Sequence, residues 1–197
     1  MSKTNIDKIR EQIFNLAVEF YKASYPYKKF EPGVDYIPVS GKVIDSSELI
    51  NSIDAALDMW LTSGRHAQQF ERNLAKFMKV RHAILCNSGS SANLLATTAL
   101  TSNKLGDKKL IPGDEIITVA AGFPTTVNPI IQNNLTPVFI DTELGYYNPS
   151  VDSISEAIGP KTRGIFIAHT LGNPYDAAQV RELAKSHNLW FIEDNCD

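Results

Sequence analysis

The chain has 197 residues, 43% hydrophobic and 21% charged, which excludes a disordered or collagen-like polymer and leaves apolar side chains enough for a core. Its 19 Lys and Arg stand against 22 Asp and Glu, a formal net charge of -3. Without a basic excess there is no footprint for phosphate-backbone binding, so nucleic acid is not an expected partner. The two cysteines, Cys86 and Cys196, are too few for a disulfide framework and fit a reducing cytoplasm.

Polar residues follow Met1 in place of a basic tip and apolar run, so no secretory signal is expected. Residues Asn5 to Tyr21 carry Ile6, Ile9, Ile13, Phe14, Ala17, Val18 and Tyr21 at helical spacing and predict an amphipathic helix that Pro26 ends. Pro32, Gly33 and Pro38 make the segment to Ser40 an extended arm. The expected division is therefore an N-terminal helix and arm over 1–40, then part of a larger domain over 41–197. Ser46 or Ser47 can cap a second helix carrying Leu49, Ile50, Ile53, Ala56, Leu57 and Trp60, with Ser63-Gly64 as its stop. A third helix, about Ala67 to Phe77, puts Phe70, Leu74 and Phe77 on one face.

Beyond it, short apolar runs at Ala83 to Cys86, Glu115 to Ala120, Pro137 to Asp141, Gly164 to His169 and Leu189 to Asp194 are separated by helical patterns or long loops. The runs are largely apolar throughout rather than alternating, as in strands covered by helices on both faces. They predict an α/β fold with a mostly parallel sheet. The longest uncharged stretch, Ile116 to Ile140, is interrupted by Pro124, Pro129, Asn133, Asn134 and Pro137 and reads as buried soluble structure, so no membrane partner is expected.

Several segments at predicted strand ends can carry chemistry. Asn87 to Asn93 (NSGSSAN) opens an apolar helix, and small hydroxyl residues with a glycine there leave backbone N–H groups and the positive helix end for a phosphate; an ordinary N-cap is the equal alternative. In Ala120 to Pro129 the lone aromatic Phe123 reads first as core and second as a platform for a flat ring. The strand ending in Glu193-Asp194 brings a carboxylate to the ligand side of the sheet, where burial requires a cation such as a protonated pyridine nitrogen or a structural salt bridge. The segment His169 to Pro174 brings further polar groups to the same edge, or serves simply as a turn.

Together these segments resemble the first half of the large domain of fold-type-I pyridoxal-phosphate enzymes, and more narrowly the DegT/DnrJ/EryC1/StrS sugar aminotransferase and dehydratase family. The resemblance covers about Tyr36 to Asp197. It implies that Gly89, Ser90 and Ser91 hold the cofactor phosphate, that Phe123 stacks on the pyridine ring, and that Asp194 pairs with the ring nitrogen. The strings SGSSANLLA, ITVAAGFPTTVNPIIQ, AHTLGNP and IEDNCD are most similar to the CDP-4-keto-6-deoxy-D-glucose 3-dehydratase branch, which serves lipopolysaccharide O-antigen synthesis. That branch uses pyridoxamine 5'-phosphate with a 2Fe-2S cluster to remove the C3 hydroxyl of a CDP-linked 4-keto-6-deoxy sugar.

The resemblance makes Cys196 one cluster ligand, the other three lying beyond Asp197, and implies a homodimer and an electron-donating reductase as partners. Cys86 matches no ligand and reads as a small buried strand residue. The family's base, a lysine in aminotransferases and a histidine in the dehydratases, also lies downstream, so no catalytic residue is assigned and Lys104, Lys108 and Lys109 are not nominated. Asp197 stands where many aminotransferases of the family have Gln or His, and Ser91 where they have Ala; both point away from transamination. Because Asp197 directly follows a strand at the ligand edge, the sequence is expected to be the N-terminal part of a longer chain, inactive by itself. The competing readings are a pyridoxal-phosphate nucleotide-sugar aminotransferase, a GDP-4-keto-6-deoxymannose 3-dehydratase working without a cluster and, in another class, a noncatalytic module holding a phosphate ligand.

Overall fold

A computed structural model describes residues 3–38 and 41–196. Val39 and Ser40, the end of the predicted arm, and Asp197 lie outside the described residues. The chain forms two compact units, Met1–Leu85 and Cys86–Asp197.

The first unit is helical: α1 (Lys3–Ser24), α2 (Ser46–Leu57) and α3 (Arg65–Phe77). The cap of α2 is Asp45 rather than either serine. Its carboxylate accepts from Ser47 N at 2.6 Å while Glu48 Oε2 accepts from Asp45 N at 2.6 Å, a reciprocal capping box that satisfies two otherwise orphaned donors. The helix also stops earlier than expected. Met59 turns left-handed (φ 51) just after the C-cap Asp58, and Gly64 serves instead as the N-cap of α3.

Ion pairs tie the three helices together. Arg10 of α1 reaches Asp54 Oδ1 and Asp58 Oδ1 at 2.7 Å each, and Arg65 of α3 reaches Asp58 Oδ2 at 2.7 Å and also bonds Asp54. Hydrogen bonds from Arg65 and Arg10 hold the Asp58 carboxyl down at about 2. A carboxylate whose folded value lies below its unfolded one adds stability above about pH 4 that is lost as the pH falls toward 2. Thermal melts from about pH 6 to about pH 2 should therefore show a smaller fall in midpoint for Asp58→Asn than for the parent chain. Parallel curves would remove Asp58 from the acid response.

The second unit holds α4 (Gly89–Ala99), β1 (Glu115–Val119), α5 (Pro124–Gln132), β2 (Thr136–Ile140), α6 (Val151–Glu156), β3 (Thr162–Ala168), α7 (Ala177–Ser186) and β4 (Trp190–Asp194). The four strands form one parallel sheet in the order β2-β1-β3-β4, with Ile117 opposite Val138 on one side and Ile165 on the other. Ile117, Val119, Ile165 and Ile167 pack one face against Ile154 of α6 and Val180 and Ala184 of α7. Ile116 and Phe166 pack the other face against Leu110, Leu135 and Ile130 of α5. Covering on both faces is why β1 and β3 read as largely apolar runs. Gly164 is needed where neighbouring strands come closest: a Cβ there would sit 3.0 Å from Ile116 Cδ1 and 3.3 Å from the Trp190 carbonyl oxygen.

The predicted strand at Ala83 to Cys86 does not form; the segment is irregular and Ile84 is 83% exposed. A strand exists only as one rail of a ladder, and no described strand pairs with this one. The Leu85 N–H is satisfied instead by Glu71 Oε1 at 2.9 Å. Cys86 is half-buried, its Sγ 3.3 Å from the Ser88 carbonyl oxygen. Among the described residues, no helix is long and apolar enough to cross a membrane.

Candidate functional site

In a parallel sheet every strand ends on the same edge, and the helices that follow begin there with unpaired N–H groups, so ligands gather at that edge. Asp194 ends β4 at this edge and is buried, 6% exposed. Its Oδ2 accepts from Asn93 Nδ2 on α4 and from Thr126 Oγ1 on α5, each at 2.7 Å. Its Oδ1 receives only a long contact of 3.3 Å from the Cys196 N–H. Among the described residues no Lys, Arg or His forms an ion pair with it, so two neutral donors orient a buried negative charge without cancelling it. A carboxylate in that setting suits a cationic N–H group of a ligand.

The first turn of α4 contains Gly89, Ser90 and Ser91. Ser88 is the N-cap: its Oγ accepts from Ser91 N at 3.1 Å and donates to Ser91 Oγ at 3.2 Å. The cap consumes the Ser91 N–H but leaves those of Gly89 and Ser90 without a partner among the described residues, at the positive end of the helix. N-cap and anion cradle thus coexist here. Cys196 lies against this turn, since a Cβ on Gly89 would be 3.5 Å from its Sγ. The Cys196 side chain is exposed, and among the described residues no group of three or more His, Cys, Asp or Glu is arranged to hold a metal ion.

Phe123 is not a core residue. It precedes α5 as its N-cap, with Pro124 as the first helical residue, and is 69% exposed. It stands three residues before Thr126, whose N–H bonds the Phe123 carbonyl at 3.1 Å.

His169 ends β3. Its Nε2 pairs with Glu193 Oε2 at 3.2 Å and its ring stacks on Tyr175 with centroids 4.2 Å apart and planes 2° from parallel. Burial, followed by the charges of Glu193 and Asp194, pushes the Tyr175 phenol well above its ordinary value, so it stays protonated. The 3-10 turn at Thr170–Gly172 follows, with Leu171 left-handed at φ 59, and Asn173 bonds back to Tyr146 O.

The structure therefore gathers Asp194, Cys196 and the first turn of α4 in one place and leaves Phe123 exposed nearby. Asn93 and Thr126 were missed by sequence reasoning. The only available signal was a buried-type helical position occupied by a polar side chain, a pattern shared with many unremarkable residues.

Residues 43–197 match the model of the DegT/DnrJ/EryC1/StrS aminotransferase family. The chain is 51% identical over 191 residues to the lipopolysaccharide biosynthesis protein RfbH of Salmonella typhimurium, covering 97% of this chain and 44% of RfbH. It is 49% identical over 181 residues to the dTDP-4-dehydro-2,6-dideoxy-D-glucose 3-dehydratase of Saccharopolyspora spinosa, covering 92% of this chain and 39% of that enzyme. The fold is similar to the solved structure of the E. coli GDP-4-keto-6-deoxy-D-mannose-3-dehydratase with bound hydrated PLP, with a TM-score of 0.73 and 31% identity over 82% of this chain and 41% of that one. The chain thus spans 39–44% of the length of these proteins. The α/β architecture expected from the sequence is that of the PLP-dependent aminotransferase-like enzymes.

Proposed function

Because the chain belongs to the DegT/DnrJ/EryC1/StrS aminotransferase family, we propose that it provides the cofactor-binding edge of a pyridoxamine-phosphate-dependent sugar 3-dehydratase. Its substrate is a CDP-linked 4-keto-6-deoxyhexose on the route to dideoxysugars, and it works in the cytoplasm as a homodimer. The observation that carries the reading is Asp194, a buried carboxylate with two neutral donors and no cation. The Saccharopolyspora spinosa relative, itself a 3-dehydratase by name, supports dehydration over transamination.

When bound, pyridoxamine phosphate supplies a primary amine for a sugar ketone and a ring that accepts negative charge. Asp194 keeps a proton on the ring nitrogen, because loss of that proton would strand an unpaired charge in a buried place. The N–H groups of Gly89 and Ser90, the dipole of α4 and the hydroxyls of Ser90 and Ser91 bind the phosphate. Phe123 covers one ring face and keeps water from it.

Cys196 is assigned as one ligand of a 2Fe-2S cluster that receives electrons from a separate reductase. The similarity of IEDNCD to the cluster-bearing branch supports this role, as does an exposed thiol at the ligand edge. Iron and acid-labile sulfide analysis of the complete gene product tests it. Cys196→Ser is expected to lose most of the bound iron while retaining pyridoxamine phosphate. Unchanged iron in the variant would remove Cys196 from the ligand set, and iron absent from the parent would move the assignment to a dehydratase without a cluster. Titration with pyridoxamine phosphate, followed by the absorbance and fluorescence of the bound cofactor, tests the broader reading, and no binding would overturn it.

A further inference from the structure

Three distant segments converge on a single carboxylate oxygen. Asn93 lies in α4, Thr126 in α5 and Asp194 at the end of β4, and all three are buried, at 8%, 2% and 6% exposure. Both donors reach Oδ2 at 2.7 Å, and neither is shared with Oδ1. The Asn93 amide has no alternative orientation. Its NH2 group spans two acceptors, Asp194 Oδ2 and the Thr125 carbonyl oxygen at 3.2 Å, and its carbonyl end can donate to neither. Further along α4, Thr97 Oγ1 donates to the main-chain carbonyl oxygen of Asn93 at 2.9 Å.

This geometry treats the two carboxylate oxygens unequally. Oδ2 is saturated by strong donors, whereas Oδ1 has only the 3.3 Å contact from Cys196 N–H. Rotation of the carboxylate about its last bond would break two short bonds to a charged acceptor, so its orientation is set before any ligand arrives. Both donors are uncharged. A Lys or Arg in either place would orient the group equally well but would compete for the charge that a cationic ligand needs.

Resting on the reading of Asp194 as the partner of the cofactor nitrogen, we propose that Asn93 and Thr126 are positioning residues that pin Oδ2 and present Oδ1 to the protonated ring nitrogen of a pyridoxal-type cofactor. They touch neither cofactor nor substrate and act through Asp194 alone. Thr125, next to the bonding hydroxyl, contributes only its carbonyl to hold the Asn93 amide.

The test uses the complete gene product and pyridoxamine phosphate itself, with the dissociation constant and the absorption band of the bound cofactor as readouts. Thr126→Val keeps the shape of the side chain and removes the donor; Thr126→Ser keeps the donor and removes a methyl group. The valine variant is expected to bind about 10-fold more weakly and to displace the band of the bound cofactor, the loss of one hydrogen bond to a charged group. The serine variant is expected to stay within about 2-fold of the parent with the band in place. Asn93→Ala, read in the same way, is expected to match the valine variant and serves if that variant fails to fold. A valine variant with the parent's constant and band, or a serine variant as impaired as the valine one, overturns the proposal and leaves the function standing. A parent that binds no pyridoxamine phosphate overturns both.

Discussion

Asp194→Asn in the complete gene product is expected to weaken pyridoxamine phosphate binding at least about 100-fold, measured by equilibrium titration. The amide has the shape of the carboxylate, and its oxygen can still accept from Asn93 and Thr126. The charge is removed, and the position of Oδ1, which accepts from the Cys196 N–H and faces the proposed ligand, becomes an NH2 donor. Breaking a buried charged pair by neutralising one partner costs about 3 kcal/mol or more, and each 1.4 kcal/mol is about tenfold in affinity. The same substitution should not lower the thermal midpoint of the cofactor-free protein, because a carboxylate 6% exposed and without a cation is a desolvation cost to the unliganded fold. The two measurements together separate a ligand role from a structural one. If Asn binds cofactor within about 3-fold of the parent, Asp194 is not the partner of the ring nitrogen.

Phe166→Ala is expected to destabilise the chain by about 3–5 kcal/mol, measured by chemical denaturation. Phe166 lies on the central strand β3 with no exposed surface and closes the cluster of Leu110, Ile116, Ile130 and Leu135. Truncation removes an aromatic ring from a layer whose neighbours sit on helix and strand backbones that can close the gap only in part. Phe139→Ala provides the internal contrast. It lies on the edge strand β2 and is 52% exposed, so the same chemical change should cost about 1 kcal/mol or less. Equal losses at the two positions would mean that burial on β3 does not set the cost of truncation.

The central strands were legible in the sequence because burial on both faces leaves a largely apolar run, interrupted in β1 only by the buried Thr118 after Glu115 and in β3 only at its start by Thr162 and Arg163. The same rule misread Ala83 to Cys86, since four apolar residues carry no information about whether a partner strand is present. Helix ends were legible only in part. The capping-box pair Asp45 and Glu48 was in plain view but overshadowed by two serines, and the stop rests on a left-handed Met59, a residue that carries no turn signal. At the candidate site, the end of β4 and the start of α4 could be placed from local pattern. Phe123 could not, because whether an aromatic at a helix start turns inward is decided by the packed face of the helix behind it. Asn93 and Thr126 were invisible for a different reason: they stand 101 and 68 residues from Asp194 and acquire meaning only when the sheet brings their helices to its end.

The strand order also dictates a sequence of events in time. β1–α5–β2 and β3–α7–β4 are each built from consecutive elements, whereas β1 meets β3 only across α5, β2 and α6. Loop closure grows more costly with separation, so the two halves are expected to form before they join at β1–β3. A chain emerging from the ribosome holds β1–α5–β2 with one flank of β1 open until β3 follows, and apolar residues such as Ile117 wait there uncovered. The oxygen-pinning arrangement at Asp194 is later still. It draws on α4, α5 and β4 at once, so it is complete only when all three elements are in place.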